Sequence, residues 1–127
     1  MKVLPAEQIR ELKAGYDNEA CVWFLVNLQY RIIAFNKKAA ENSISLHRKE
    51  ITAGSSILDY ARDTKNRVDS EFIRCFGKSA TGKKVEQTQK IIYNSATITT
   101  KAVYTPVYLD KEVAGISIVV EDITAGS

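Results

Sequence analysis

The side chains with the strongest chemical reactivity in this sequence are few and lie far apart. The sequence has one histidine, His47, and two cysteines, Cys21 and Cys75. A zinc site needs about four Cys, His or acidic ligands at local spacing, which these three residues do not provide. A hydrolytic triad needs a nucleophile beside a base, and Asp59 and Asp63 near a single histidine identify none. The sequence therefore predicts no metal site and no catalytic residues of its own.

Two further patterns bear on catalysis or nucleotide binding. Gly77-Lys78-Ser79 resembles the end of a phosphate-binding loop, but the position five residues before Gly77 is Phe72 instead of glycine. The triplet also falls inside an amphipathic helical pattern, so it predicts no nucleotide site. Tyr60 and Asp59 are the only plausible acid–base pair, which leaves a small enzyme on an α+β cone-like scaffold as a disfavoured alternative.

The charge and the hydropathy of the chain exclude two classes of partner. The net charge is +3, with 18 basic and 15 acidic residues interspersed, and the densest basic spots are only pairs or triplets. A nucleic-acid binder shows a basic stripe along one face, so no direct nucleic-acid contact is predicted. The longest apolar run, residues 21–26, is far shorter than the roughly 20 residues of a membrane helix. With no signal-peptide core and two free thiols, the chain is expected to be cytoplasmic, without a membrane segment.

The first predicted element is a short N-terminal helix. Pro5 suits a first helical position, Ile9, Leu12 and Tyr16 recur at helical spacing, and Gly15 stands near the end as a stop. This apolar stripe is narrow and must pack either on the sheet of the same chain or on a second copy. We therefore name Ile9, Leu12 and Tyr16 as dimerisation candidates.

A hairpin and a helix are predicted next. Residues 21–26 read as a strand buried on both faces, residues 27–30 as a turn, and residues 31–35 as the returning strand. Asn36 precedes a good helix sequence, residues 37–41, and is predicted to be its N-cap. The alternative role for Asn36, an amide turned toward a ligand, stays open.

The second half of the chain predicts one long helix and three strands. A polar stretch, residues 45–65, contains an apolar turn at residues 57–60. The helix spans about residues 66–81, buries Cys75 on its apolar face and stops at Gly82. The strands span residues 85–94, 97–109 and 113–121, the last two joined by a turn at residues 110–111. Gly115 predicts a bulge or a close backbone approach in the last strand.

This order of elements predicts an α+β fold with one antiparallel sheet and helices on one face. A pocket would lie on the face under the long helix. Such positions are more often plain core, but a pocket there would suit a small apolar or aromatic ligand. The candidate lining residues are Phe24, Ile33, Phe35, Asn36, Leu58, Tyr60, Phe72, Phe76, Tyr104, Ile118 and Val120.

The same order, with these residues in it, resembles the PAS domain, a sensor module of bacterial signalling proteins. Four stretches carry the resemblance: residues 24–36, a hairpin that ends on Asn; residues 51–59; residues 72–85, a long helix and its exit; and residues 104–124, a hairpin that ends Asp-Ile-Thr. The resemblance implies a five-stranded sheet in the order 2-1-5-4-3 and a homodimer formed through a preceding helix. It divides the chain into a helix at residues 1–16, a PAS domain at residues 17–124 and the start of a linker at residues 125–127.

The sequence lacks the residues with which members of this family bind flavin covalently or bind haem. A flavin photoreceptor of this family needs a cysteine in an Asn-Cys-Arg-Phe-Leu-Gln type motif, where this sequence reads Gly-Ser-Ser-Ile-Leu-Asp at residues 54–59. Haem-binding members carry a histidine on the long helix, which here has none, and His47 is expected to be exposed. Covalent flavin and haem are therefore disfavoured, and no cofactor is predicted.

The resemblance implies a sensory and dimerisation module that passes a signal to an output domain after Thr124. The given sequence ends three residues later, at Ser127, so we expect it to be a sensor module excised from a longer protein. A histidine kinase is the expected output, with a cyclic-dinucleotide enzyme or a transcriptional regulator as alternatives. A ligand-free protein-interaction module with a filled core is the other hypothesis.

Overall fold

The chain folds into a five-stranded sheet with helices on both faces. The computed structural model describes residues 3–17, 20–47, 50–61, 69–93 and 96–124. Within them the elements are α1 (Ala6–Ala14), β1 (Val22–Asn27), β2 (Ile32–Phe35), α2 (Lys37–His47), α3 (Leu58–Ala61), α4 (Asp69–Ala80), β3 (Val85–Tyr93), β4 (Ala96–Leu109) and β5 (Glu112–Asp122). In this part of the chain no helix is long and apolar enough to cross a membrane.

The strands lie in the order β2-β1-β5-β4-β3, and every neighbouring pair is antiparallel. This confirms the predicted α+β fold and its strand order. The turn between β4 and β5 consists of Asp110 and Lys111, whose φ values are 51° and 71°. Positive φ at both residues of a two-residue loop matches the right-handed twist of the flanking strands, and so fixes their register.

One face of the sheet and helices α3 and α4 enclose what we call the inner core. Phe24 and Val26 of β1 point into it, because alternate side chains of a strand lie on the same face. From α4, Phe72, Cys75 and Phe76 meet them. The buried members of the inner core are Val26, Ile32, Ile51, Ile57, Phe72, Cys75, Phe76, Ala102, Tyr104, Ile116 and Ile118.

The opposite face of the sheet carries a second set of buried residues, which we call the outer cluster. It consists of Leu4, Trp23, Leu25, Ala34, Val107 and Ala114. Helix α1 covers it, so its narrow apolar stripe packs on the sheet of its own chain. This was one of the two arrangements that the sequence left open.

Gly115 of β5 makes the approach of the N-terminal segment to the sheet possible. A Cβ atom at Gly115 would lie 3.0 Å from the Val26 carbonyl oxygen and 3.3 Å from Leu4 Cδ1. The pairing of β4 with β5 shifts register beside it, between Val107 and Tyr108. Both features predicted for Gly115, a bulge and a close approach, are therefore present.

Two predictions for the helical segments differ from the structure. Helix α2 continues to His47, beyond the predicted end at residue 41, although Asn42 and Ser43 are weak helix formers. Burial of Ser43 shows that tertiary packing sustains the added turns. The apolar turn predicted at residues 57–60 is the short helix α3. The predicted start of the long helix, residues 66–68, and the linker at residues 125–127 lie outside the described residues, as do residues 48 and 49 and the side chain of His47.

Candidate functional site

The inner core contains most of the residues predicted to line a pocket. Phe72, Phe76, Tyr104 and Ile118 are buried in it. Half-buried residues that pack against it complete the set: Phe24, Phe35, Leu58, Tyr60 and Val120. Strands β1, β2, β4 and β5 and helices α3 and α4 thus bring these residues together, as the sequence predicted.

Ile33 is a correction to the predicted pocket. It packs against the outer cluster, on the face of the sheet that α1 covers. The pairing of β1 with β2 shifts register here, because Leu25 pairs with Ala34 whereas Val26 pairs with Ile32. Ile33 is therefore the extra residue of a β-bulge, which interrupts the alternation of side chains between the two faces of the strand.

Aromatic rings fill the space between the β1–β2 hairpin, α4 and β4. The ring centroids of Phe72 and Phe76 are 5.6 Å apart, and those of Phe72 and Tyr104 are 5.8 Å apart. Tyr30 adds a further ring, 4.7 Å from Phe76 and 6.3 Å from Phe72. Tyr30 was predicted only as a turn residue, and an aromatic residue at the end of a hairpin turn is the signal that could have identified it.

Three polar side chains are buried along the inner side of α4 and β4. Burial raises the pKa of the Cys75 thiol. Burial also raises the pKa of the Tyr104 hydroxyl; the negative charge that Cys75 acquires when it ionises at high pH and the charge of the Glu71 carboxylate add to this shift. Both groups are therefore uncharged near neutral pH. The Ser79 hydroxyl oxygen is fully buried and has no hydrogen-bond partner in the described part of the protein.

A surface contact holds α4 to the edge strand β3. Arg74 donates to Glu71 over 2.7 Å, and the Gln87 amide donates to the same carboxylate over 3.1 Å. The hydrogen bond from Arg74 is the main cause that lowers the pKa of Glu71. Because the ion pair is about half exposed, its contribution to stability is small.

Asn36 is saturated with hydrogen bonds to the backbone. Its side-chain oxygen accepts from the N–H of Ala39 over 2.9 Å, which makes it the N-cap of α2, and from the N–H of Trp23 over 3.1 Å. Its amide nitrogen donates to the carbonyls of Tyr16 and Cys21, each over 2.9 Å. With both donors and both lone pairs used, the buried Asn36 side chain is a structural junction, as its predicted role as a cap requires.

The outer cluster connects α1 to the central strand β5. The rings of Tyr16 and Trp23 are stacked, with centroids 5.3 Å apart and an interplanar angle of 8°. The Trp23 indole N–H then donates to the Ser117 hydroxyl over 2.8 Å. The proposed dimerisation residues Ile9, Leu12 and Tyr16 all pack against this cluster and are half-buried.

An open cleft of about 410 Å³ lies where α1 ends and α2 begins. Its lining residues are Lys13, Asp17, Phe35, Asn36, Lys37 and Ala40. Lys13 and Asp17, four residues apart at the end of α1, form an ion pair of 3.0 Å on one side of it. Because the Asn36 side chain is already saturated, the cleft provides a shallow apolar floor at Phe35 and Ala40.

The C-terminal end of β5 is fastened to the neighbouring strand. Ile123 N–H donates to the Thr99 carbonyl over 2.9 Å, and Thr99 N–H donates to the Thr124 hydroxyl over 2.6 Å. Thr124 N–H donates to Asp122 over 2.9 Å, and this bond lowers the pKa of that carboxyl. Residues 121–124, which carry the Asp-Ile-Thr ending, thus leave the sheet in a defined position.

The described residues contain no group of three or more His, Cys, Asp or Glu side chains that could hold a metal ion. Cys21 and Cys75 are free thiols. Cys75 is buried in the inner core, as predicted.

Solved structures that share this fold include several PAS domains. The PAS domain of Bordetella pertussis BvgS superposes with a TM-score of 0.72 at 13% identity, covering 93% of this chain and 88% of that one. A sensory box sensor histidine kinase from Vibrio cholerae gives a TM-score of 0.61 at 14% identity, covering 92% and 90%.

The phage VqmA–DPO complex also gives a TM-score of 0.72, at 17% identity and 94% coverage of this chain. This chain spans 55% of the length of that VqmA chain. At the level of sequence, no protein-family model and no curated protein matches. The structural likeness, at identities this low, establishes the fold.

Proposed function

Because the chain has the PAS fold, we propose that it is a sensory and dimerisation module of a signalling protein. The observation that carries this proposal is the position of β5. This strand lies at the centre of the sheet, between β1 and β4, and its last residues are fastened to Thr99. A change in the packing of the core therefore has a direct mechanical route to the residues at which the chain leaves the domain.

The two faces of β5 contact both groups of buried side chains. Ile116 and Ile118 belong to the inner core. Ala114 belongs to the outer cluster, and Ser117 accepts the hydrogen bond from Trp23 of that cluster. A ligand that displaced inner-core side chains, or a partner that displaced α1, would act on the same strand. Both kinds of input can therefore change the position or the stability of the same residues, 121–124 at the end of β5.

We further propose that the output is a histidine kinase and that the module works in the cytoplasm. The likeness to the sensory box sensor histidine kinase of V. cholerae supports the kinase. A cyclic-dinucleotide enzyme and a transcriptional regulator are the alternative outputs, since the route through β5 is the same whichever output domain is attached. In each case this domain would regulate the activity of the output domain, and the output domain would carry out the reaction or the binding.

A protein-interaction module without a ligand is the second candidate function. The observation that favours it is the contact of Tyr30, Phe72, Phe76 and Tyr104, whose rings occupy the inner core themselves. In this case the signal would be a partner protein, and the outer cluster under α1 would be the responsive surface.

Native mass spectrometry of the purified chain, combined with sedimentation over a range of concentrations, tests the proposal. The sensory and dimerisation module is expected to be a dimer, and a small molecule that co-purifies in stoichiometric amount would select the ligand-bound form. A dimer without a bound molecule would select the protein-interaction form. A chain that stays monomeric at every concentration and carries no molecule would contradict the proposal.

A further inference from the structure

The two edges of the sheet differ in how their backbone groups are occupied. At the β2 edge, Ile32 N–H donates to the Ser55 carbonyl over 2.9 Å, and Gly54 N–H donates to the Ile32 carbonyl over 2.7 Å. At the other edge, β3 pairs with β4 on one side, and no backbone hydrogen bond from another described residue reaches its other side. A strand with such an open edge can pair with a strand of another chain.

The hydrogen bonds of β4 show the direction of the backbone groups across this part of the sheet. Thr99 N–H donates to the Thr124 hydroxyl over 2.6 Å, and Ile123 N–H donates to the Thr99 carbonyl over 2.9 Å. Both backbone groups of Thr99 therefore face the side of β5. Because successive residues of an antiparallel strand direct these groups to opposite sides, the N–H and C=O of Thr100 face β3.

The same alternation in β3 identifies the residues whose backbone groups face outward. Gln89 pairs with Thr100, and its carbonyl also accepts from the Thr100 hydroxyl over 3.4 Å, so the backbone groups of Gln89 face β4. The pairing of β3 with β4 has no register shift. The N–H and C=O groups of Glu86, Thr88 and Lys90 therefore face away from the sheet. The side chains of these three residues are exposed and lie on one face of the strand.

The two charges on this edge are placed symmetrically about Thr88. Glu86 lies two residues before it and Lys90 two residues after it. If two copies of β3 pair antiparallel with Thr88 opposite Thr88, each Glu86 faces the partner's Lys90, and opposite charges at facing positions stabilise such a pair. A register centred on Glu86 or on Lys90 would instead place like charges opposite each other.

Glu86 remains accessible to a second cation although it already has one partner. It forms an ion pair of 2.9 Å with Lys101 of the neighbouring strand, and its side chain is still 55% exposed. In an antiparallel pair of β3 strands, the partner's Lys90 would approach the same carboxylate from the open side. The charges of the edge are therefore complementary to those of a second copy of the same edge.

We propose that the open edge of β3 is an interface between two copies of this chain. The two β3 strands pair antiparallel with Thr88 at the centre, so that the two sheets become one continuous sheet. The outward-facing residues then meet as hydrogen-bonded pairs, Thr88 with Thr88 and Glu86 with the partner's Lys90. This inference deepens the dimerisation part of the proposed function, on which it rests, by giving the contact. Helix α1 can stay packed on its own sheet in such a dimer.

Sedimentation equilibrium of charge-reversal variants tests this interface. Glu86→Lys and Lys90→Glu each place like charges opposite each other at both symmetric positions, and each is expected to weaken the dimer about tenfold. The double variant Glu86→Lys/Lys90→Glu again has opposite charges at these positions and is expected to dimerise like wild type. It lacks the ion pair with Lys101 just as the single variant does, so its recovery cannot come from the stability of the fold.

The backbone contribution is tested at the centre of the pair. Thr88→Pro removes an N–H that faces away from β4, so it is expected to abolish the dimer while circular dichroism shows the sheet intact. Thr88→Val keeps the N–H and the β-branched shape and is expected to dimerise like wild type.

A disulfide cross-link tests the register. The facing Cα atoms of a hydrogen-bonded pair are about 5.5 Å apart, which a disulfide can span. Oxidised Thr88→Cys is therefore expected to form a covalent dimer. Thr105→Cys, at an exposed position of β4, is the matched control and is expected to stay uncrosslinked.

The proposal is overturned if wild type dimerises and the charge reversals leave its affinity unchanged, or if the double variant is as weak as the single ones. Dimerisation would then use another surface, and the proposed function would stand. A wild-type chain that stays monomeric at every concentration also overturns the proposal and leaves the edge to a strand of a different protein. In that case a bound small molecule in native mass spectrometry would still support the sensory part of the proposed function.

Discussion

At the scale of single residues, Asn36 joins three elements through one side chain. It caps α2, and it fixes the backbone at the end of the α1 segment and at the start of β1. The sequence predicted the cap, because Asn before a helix-forming stretch is a local signal. The bonds to Tyr16 and Cys21 could not be predicted, because they depend on how segments distant in sequence meet.

Replacement of Asn36 separates these two roles. Asn36→Ala is expected to lower the free energy of unfolding by about 3 kcal/mol, from the lost cap and the buried groups left without partners. Asn36→Asp retains the acceptor for the cap but turns a carboxylate oxygen toward the carbonyls of Tyr16 and Cys21 in a buried site, so a loss at least as large is expected. Urea denaturation measures both.

Asn27→Ala is the matched control for these substitutions. Asn27 also accepts two backbone N–H bonds through its side chain, but in an exposed turn. Its replacement is expected to lower the free energy of unfolding by less than about 1 kcal/mol. Equal losses at Asn27 and Asn36 would contradict the role of Asn36 as a buried junction.

Ile33 and Tyr30 make contacts that a sequence pattern cannot predict. Period-two alternation assigns each strand residue to a face, and one bulge residue reverses that assignment for Ile33. Tyr30 contacts Phe72 and Phe76 of α4 from a turn, where no periodic pattern assigns a residue to a face. Phe72, Phe76 and Tyr104 of the long, regular elements α4 and β4 do lie together in the inner core, and their role as pocket-lining residues stays a prediction.

At the scale of elements, the sequence predicted all five strands and the long helix to within a few residues. Alternation and turn residues are local, so they define strands without knowledge of their neighbours. The strand order was implied by the resemblance to PAS domains. The side on which α1 packs could not be predicted, because its narrow stripe fits the sheet of its own chain or that of a second copy equally well.

The docking of α1 on the outer cluster can be monitored through Trp23. It is the only tryptophan of the chain, it is fully buried, and it stacks on Tyr16. Leu12→Asp places a charge in the apolar stripe of α1 and is expected to release the helix. Tryptophan emission should then shift to longer wavelength, while far-ultraviolet circular dichroism shows the sheet intact.

Glu11→Ala changes the exposed face of the same helix and is the control. Its emission spectrum is expected to match that of the wild type. If Leu12→Asp also left the spectrum unchanged, α1 would not be the element that covers Trp23 in solution.

At the scale of the whole molecule, the proposed signal transfer would depend on the central strand β5. This strand contacts both groups of buried side chains, and its last residues are hydrogen-bonded to Thr99. The inner core and the outer cluster lie on opposite faces of the sheet, and β5 contributes to both. Because β5 pairs with β1 and β4 along its length, a shift of the strand is shared by its neighbours. The domain is thereby suited to change the position or the stability of residues 121–124.

The role of β5 is tested most directly by an output measurement on a fusion of this chain to the dimerisation and catalytic region of a histidine kinase. Thr124→Val removes the hydroxyl that accepts the Thr99 N–H bond while keeping the size of the side chain. The loss of this bond and of the weaker bond from the same hydroxyl to the Thr99 carbonyl, ~1 kcal/mol in all, is expected to change the autophosphorylation rate about fivefold. Thr105→Val, at an exposed position of β4, is expected to leave the rate unchanged. The same rate in both variants, in wild type and after deletion of the whole domain would contradict this role.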